Sequence, residues 1–277
     1  MSVDLRGIAF VVTAVSSLQL GAAFAVTLFD DLGVGGTALL RLGIAAIVLL
    51  AIWRPRPRRP LLVPVAFGVA LATMNVAIYE AMDRIPIGVA VTIEFAGPLG
   101  LAVALSRRAL DLVWVALAAA GILLLTNPFG ESDLDAAGIA FALLAASAWA
   151  AYIPLSARTG RMLPGGRGLA IAMAVGAILV APAGIAQGGA DLLHPGLLAS
   201  GAVVALASSV IPYSLELESL RRIPPRVFGV LMSLEPAVAA LAGFVVLGQS
   251  LGAGDLVAIA LVVVASAGVT LERPSSV

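Results

Sequence analysis

The sequence predicts an all-α integral membrane protein, with ten transmembrane helices as two inverted five-helix repeats. Three observations carry that prediction: a composition too apolar for water, arginines gathered on one side of the predicted spans, and a chain that repeats itself at half length. Of 277 residues, 61% are hydrophobic and 12% charged, against about 45–50% apolar and about 25% charged in soluble domains. The net charge is zero, from 16 basic and 16 acidic residues, so the basic field that a nucleic-acid partner requires is missing. The chain has no Cys and a single His, His194; neither thiol chemistry nor a histidine metal centre is expected, and no cofactor motif is present.

A spanning helix needs about 20 mostly apolar residues, and ten segments meet or approach that length. The first, 8–29, has an apolar run longer than the roughly 7–15 residues of a signal-peptide core. Asp30-Asp31 to Gly35-Gly36 reads as a connection, after which the second span covers 37–53 and stops at the Arg/Pro cluster 54–60. The third covers 61–82, and the fourth, 87–105, starts behind Pro86. The fifth, 112–126, is the shortest and ends at Asn127-Pro128-Phe129-Gly130. The sixth and seventh, 136–155 and 168–186, flank Pro164-Gly165-Gly166. The eighth, ninth and tenth are 197–217, 227–247 and 256–271.

Every basic residue is Arg. With ten spans, one side of the membrane receives Arg6, Arg54, Arg56, Arg58, Arg59, Arg107, Arg108, Arg158, Arg161, Arg167, Arg221, Arg222, Arg226 and Arg273. The other side holds only Arg84, while Arg41 lies inside a span. Positively charged loops stay in the cytoplasm, so this 14-to-1 split places both termini there and supports an even number of spans.

Gly7-Ile8-Ala9-Phe10 recurs as Gly138-Ile139-Ala140-Phe141, and Ser16 matches Ser147 at the same offset. Glu80, Arg84, Ile85, Pro86, Val89 and Pro98 match Glu218, Arg222, Ile223, Pro224, Val227 and Pro236. Asp111-Leu112-Val113 matches Asp255-Leu256-Val257. The halves, 1–130 and 131–277, hold five spans each, and an odd number inverts the second relative to the first. Inverted repeats are the architecture of alternating-access transporters, with the substrate near the midplane.

These segments resemble the drug/metabolite transporter (EamA-type) superfamily, and within it the threonine/homoserine exporter group. The resemblance rests on Ser17-Leu18-Gln19-Leu20-Gly21, Thr37-Ala38-Leu39-Leu40-Arg41, Met74-Asn75, Ile85-Pro86-Ile87-Gly88-Val89-Ala90, Glu94-Phe95-Ala96-Gly97-Pro98, Ser106-Arg107-Arg108, Pro212-Tyr213-Ser214-Leu215-Glu216 and Phe228-Gly229-Val230-Leu231-Met232-Ser233-Leu234-Glu235-Pro236. It implies a bacterial inner-membrane location and export of small amphiphilic metabolites. The chain departs from the family pattern at Gly248-Gln249, where Gly-Glu is common, and at Val26, where relatives can carry a cation.

Five charged residues fall inside the spans: Arg41, Glu80, Glu94, Glu216 and Glu235. Charge at a helix centre costs at least about 2.5–3.5 kcal/mol, so each requires a reason. Arg41, four residues inside the expected helix end, can either snorkel to the interface or bind a substrate carboxylate. Glu80 faces Arg84 at i+4 spacing, which suits a structural pair, and its repeat mate Glu218 sits beside Arg221 and Arg222 with the same explanation. Glu94 and Glu235 lie roughly 12 and 15 Å along their helices, beyond the reach of snorkelling. Each adjoins a proline, Pro98 or Pro236, expected to kink the helix and free a carbonyl. Pro212 is expected to bend the eighth span. Helical spacing puts Ser209, Tyr213 and Glu216 on one face, Asn75 and Tyr79 on another, and Trp149, Tyr152 and Ser156 on a third, with Ser16 and Gln19 on a fourth. Such stripes join helices more often than they bind ligands; four together suggest a lined cavity.

The expected function is export of small amino acids by proton-coupled alternating access. Glu94 and Glu235 are the proton-coupling candidates, and Gln19, Arg41, Asn75, Tyr79, Trp149, Tyr152, Tyr213 and Glu216 complete the substrate site. The partners are then a small amino acid or metabolite, protons and the lipid bilayer. The alternative is a broader exporter of hydrophobic or cationic compounds. An intramembrane enzyme lacks the His, Cys and motif content it would need.

Overall fold

A computed structural model describes residues 4–56, 61–104, 111–126, 134–219, 222–223 and 225–272, which form helices and short turns. Pro57-Arg58-Arg59-Pro60, Ser106-Arg107-Arg108, Asn127-Pro128-Phe129-Gly130, Glu131, Asp133, Arg221, Pro224 and Arg273 lie outside the described residues. The chain is a multi-pass membrane protein. Among the described residues, seven helices are long and apolar enough to cross a bilayer, and three shorter apolar helices accompany them.

The first half comprises α1 (Leu5–Val26), α2 (Phe29–Trp53), α3 (Leu62–Met82), α4 (Ile87–Glu94), α5 (Ala96–Ala104) and α6 (Asp111–Thr126). The second comprises α7 (Ala136–Met162), α8 (Arg167–Gly188), α9 (Pro195–Ala205), α10 (Ile211–Ser219), α11 (Pro225–Met232), α12 (Glu235–Leu247) and α13 (Ala253–Glu272). α1 and α7 start alike. Asp4 and Asp135 cap them by accepting from the amides of Arg6 and Ala137, at 2.9 and 3.0 Å.

The helix boundaries differ from the sequence reading at several places, and three of them bear on the cavity. The segment expected to connect the first two spans is the beginning of α2. Asp30 and Asp31 occupy its first turn, where the helix dipole favours acids. Gly33 then adopts φ +68°, a kink that only glycine makes cheaply. The span at 87–105 is broken at Phe95, between α4 and α5, and the span at 227–247 at Ser233-Leu234, between α11 and α12. Pro98 and Pro236 therefore stand in the first turn of a new helix, where a missing N–H leaves no orphan, rather than inside a continuous one. Ahead of Pro212 lies a wide turn of π type, Leu206–Val210, joining α9 to α10. Pro154 and Pro182 sit inside the unbroken helices α7 and α8.

The two halves are stitched along glycine-rich seams, as expected where small residues let membrane helices approach. α2 packs along α8; the Gln187 side chain lies against Gly33 and Gly35, and its Oε1 accepts from the Gly35 amide at 2.7 Å. At the other end of α2, the Trp53 ring rests on Gly165 and Gly166. Gly97 of α5 lies directly on the Ala146 carbonyl of α7.

Two charged clasps also join the halves. Arg84 binds Glu80 at 2.6 Å, approaches the α7 cap Asp135 at 3.8 Å, and stacks over Phe141 at 5.1 Å. Arg222 binds Glu218 at 2.7 Å, approaches the α1 cap Asp4 at 3.8 Å, and stacks over Phe10 at 5.5 Å. Gly138 and Gly7 make room for these contacts, each lying against the Arg Cβ and the following Ile. Phe29 stacks on Tyr79, which puts the first clasp at the N-terminal end of α2. Glu218 shares a small cavity with Trp53 and Gly166, which puts the second clasp at the opposite end.

Candidate functional site

Between the clasps lies a cavity of about 730 Å³. All ten residues picked from the sequence as substrate-site candidates line it: Gln19 from α1, Arg41 from α2, Asn75 and Tyr79 from α3, Glu94 from α4, Trp149 and Tyr152 from α7, Tyr213 and Glu216 from α10, and Glu235 from α12. Pro98 and Ser156 line it too, whereas Pro212 and Pro236 are not in its lining. The lining runs from Met82, beside the first clasp, to Gly165 and Gly166, beside the second.

Arg41 is where structure and sequence reading part. With α2 starting at Phe29, Arg41 stands twelve residues into the helix, roughly 18 Å along its axis, and only 4% of it is exposed. It does not snorkel. Its Nη2 donates to the Ser208 carbonyl at 2.9 Å and its Nε to Ser209 Oγ at 3.1 Å. In a regular helix the Ser208 carbonyl would accept from residue 212, but that residue is Pro212, which has no N–H. Arg41 thus fills the vacancy that the proline creates. Ser209, expected beside Tyr213 and Glu216 on the cavity face, is engaged by Arg41 instead.

The guanidinium lies 5.2 Å from the centre of the Tyr79 ring, within cation–π range. Among the described residues no carboxylate reaches it at ion-pair distance; the ion pairs there belong to the clasps. The Tyr79 hydroxyl lies within hydrogen-bonding reach of the guanidinium, whose charge acts on Glu94 and Tyr213 as well.

Three acids share the space. Glu94 is 8% exposed and Glu235 2%; Glu235 feels the charges of both Glu94 and Glu216, and Gln19 lies within hydrogen-bonding reach of it. Gln19 is placed by its neighbours: Ser17 Oγ donates to the Ala207 carbonyl at 2.7 Å, and Gly21 packs on Ser208. α1 is thereby held against the wide turn. Asn75 Nδ2 donates to the Leu71 carbonyl at 2.8 Å. Three buried side-chain atoms among the described residues make no well-aligned hydrogen bond: Gln19 Oε1, Tyr79 Oη and Thr159 Oγ1. All three residues line this one cavity. An unpaired buried polar group costs about 1–3 kcal/mol, and these three are gathered on the wall of a single cavity.

The sequence reading missed the apolar lining, which includes Phe67, Phe95, Phe228 and Met232, and missed Thr159. Phe67 meets Tyr152, and Phe95 meets Trp149, both edge to face with centroids 4.9 Å apart. Gln249, noted as a departure from the family pattern, accepts from the Ile87 amide at 3.1 Å and so caps α4, the helix that carries Glu94.

Residues 136–271 match the EamA-like transporter family. The threonine/homoserine exporter RhtA of Escherichia coli strain K12 is 40% identical over 270 residues, covering 95% of this chain and 91% of that protein. The RhtA of Salmonella typhimurium strain LT2 is 40% identical over 264 residues, covering 93% and 89%. One crystal structure, 18% identical in sequence, superposes with a TM-score of 0.63 over 95% of this chain and 96% of that one.

Proposed function

Because the chain belongs to the EamA-like transporter family, we propose that it is a secondary transporter of the bacterial inner membrane that exports small amino acids such as threonine and homoserine. The observation that carries this reading is the convergence of one arginine, three glutamates and three polar atoms without a well-aligned hydrogen bond on a single cavity between two halves, in a chain 40% identical to proteins named for that export.

In this reading the ten spans are the seven long helices and three shorter ones, arranged as two inverted repeats, 1–130 and 131–277. The paired clasps, one at each end of α2 and each joining the halves, support it. The arginine split puts both termini in the cytoplasm. The halves rock about the cavity, exposing it first to the cytoplasm and then outside.

Glu94 receives the substrate ammonium or a proton in turn, which couples export to the proton gradient, and Glu235 assists. Gln19, Arg41, Asn75, Tyr79, Trp149, Tyr152, Tyr213 and Glu216 complete the site. Pro98, Pro212 and Pro236 set the helix breaks that bring these side chains in. The test is efflux of radiolabelled threonine from proteoliposomes with and without a pH gradient. The wild-type chain is expected to respond to the gradient and Glu94→Gln to show little efflux under either condition. Unchanged efflux by Glu94→Gln at every pH removes that residue from the mechanism.

A second reading, export of larger hydrophobic or cationic compounds, is favoured by the cavity's volume and its aromatic pairs. Thermal shifts with amino acids against lipophilic cations separate the two.

A further inference from the structure

We propose that Arg41 and Tyr79 form an anion subsite in the cavity wall, which takes the carboxylate of the transported molecule and so selects amino acids over amines. The inference rests on the amino-acid export reading and assigns one end of the substrate to named atoms.

Arg41 is buried, fixed, and not neutralised. Ser208 and Ser209 hold Nη2 and Nε in place, so the fork cannot swing away. A guanidinium has five N–H donors; with these two bonds made and the Tyr79 hydroxyl within reach of a third, at least two remain for a ligand. No carboxylate of the described residues lies at ion-pair distance from it, although buried charges are ordinarily paired. Filling the carbonyl that Pro212 orphans needs one neutral donor, which an Asn or Gln could supply. A full charge at this depth exceeds that structural task.

Tyr79 supplies the second donor. Its ring is wholly buried between Phe29 and the Arg41 guanidinium; its hydroxyl lies within hydrogen-bonding reach of that guanidinium and makes no well-aligned bond to any described residue, so its proton is free to be donated. A carboxylate beside both groups would accept from the tyrosine hydroxyl and from the free edge of the fork, the planar geometry for which Arg is suited. Glu94 and the Gln19–Glu235 pair then remain for the ammonium end. The cavity thus offers a donor pole and an acceptor pole, as a zwitterion requires and a simple amine does not.

The experiment uses the full chain in proteoliposomes and measures inhibition of radiolabelled threonine counterflow by threonine and by threoninol, its carboxyl-free alcohol. The wild type is expected to prefer threonine at least tenfold. Tyr79→Phe, which removes one hydroxyl and keeps the ring over Arg41, should shrink that preference severalfold, and Arg41→Gln should bring it close to one. Tyr79→Phe alone decides the matter if Arg41→Gln fails to insert. An unchanged preference in Tyr79→Phe, or a wild type that does not distinguish the two compounds, overturns the subsite while export stands. A wild type that carries no amino acid overturns the export reading and this selection with it.

Discussion

Arg84 and Arg222 repeat one another down to their neighbours, each with a glutamate at i−4, a cap aspartate from the opposite half and a phenylalanine face. Arg41 has no such twin: after Arg167, the second half's α8 carries no charged residue. The glutamates of the cavity are unmatched as well. Glu94 stands four residues before Pro98 and Glu235 one residue before Pro236. The clasps that join the halves are duplicated and the charged groups between them are not. A clasp needs only complementary helices, which two similar halves supply twice. A molecule with one positive and one negative end cannot be met by a two-fold arrangement of like groups.

That contrast can be broken at several points. The largest expected effect lies at the glutamates. Glu94→Gln should lower threonine efflux by about 100-fold, equivalent to about 2.7 kcal/mol, and Glu235→Gln by about tenfold; equal losses would mean that the two act as equivalents after all. Next comes Gly97, which precedes Pro98 as Glu235 precedes Pro236 but lies on the Ala146 carbonyl. Gly97→Ala should destabilise the protein by about 1–3 kcal/mol through overpacking, read as a fall in thermal midpoint in detergent. A neutral result would mean that the first half has room for a side chain there.

The clasps should behave as a pair. Arg84→Ala and Arg222→Ala should each destabilise by about 1 kcal/mol, since exposed ion pairs and cation–π contacts are individually weak. The two losses should agree to within about 0.5 kcal/mol; a wide disparity would deny the duplication. The smallest effect is expected at Gln249, whose bond to the Ile87 amide has no counterpart in the opposite half among the described residues. Gln249→Ala should cost about 0.5–1 kcal/mol, the usual worth of a cap, while Gln249→Glu should retain most of it because a helix start favours an acid.

Much of the cavity's polar lining was legible because polar residues are rare in apolar spans. Glu94, Glu235, Tyr213 and Asn75 stand out against Ala, Val and Leu, and helical spacing sorts them onto faces. The apolar lining was illegible for the same reason: Phe67 or Phe228 facing a cavity looks no different in sequence from one facing lipid. The depth of Arg41 was hidden by local composition. Two aspartates followed by Gly33, Gly35 and Gly36 have the makeup of a loop, and only the tertiary seam with Gln187 makes them a bent helix. The partner of Arg41 could not be read at all, because the carbonyl it fills lies 167 residues away. Pro212 announces that some carbonyl will be orphaned without saying what will reach it.

The bond between Arg41 and Ser208 also has a history within each molecule. At a synthesis rate of about 5–20 residues per second, the 167 positions between them take roughly 8–33 s to translate. Throughout that interval the acceptor of the arginine has not been made. A ribosome-bound chain halted after residue 200 should therefore leave Arg41 open to a guanidine-modifying reagent such as phenylglyoxal. In the finished protein it should be shielded; equal labelling of both would refute this order. If the order holds, an early-inserted bundle waits with one charge unsettled until the second half arrives to accept it, and the transport chamber is the last room in the molecule to be closed.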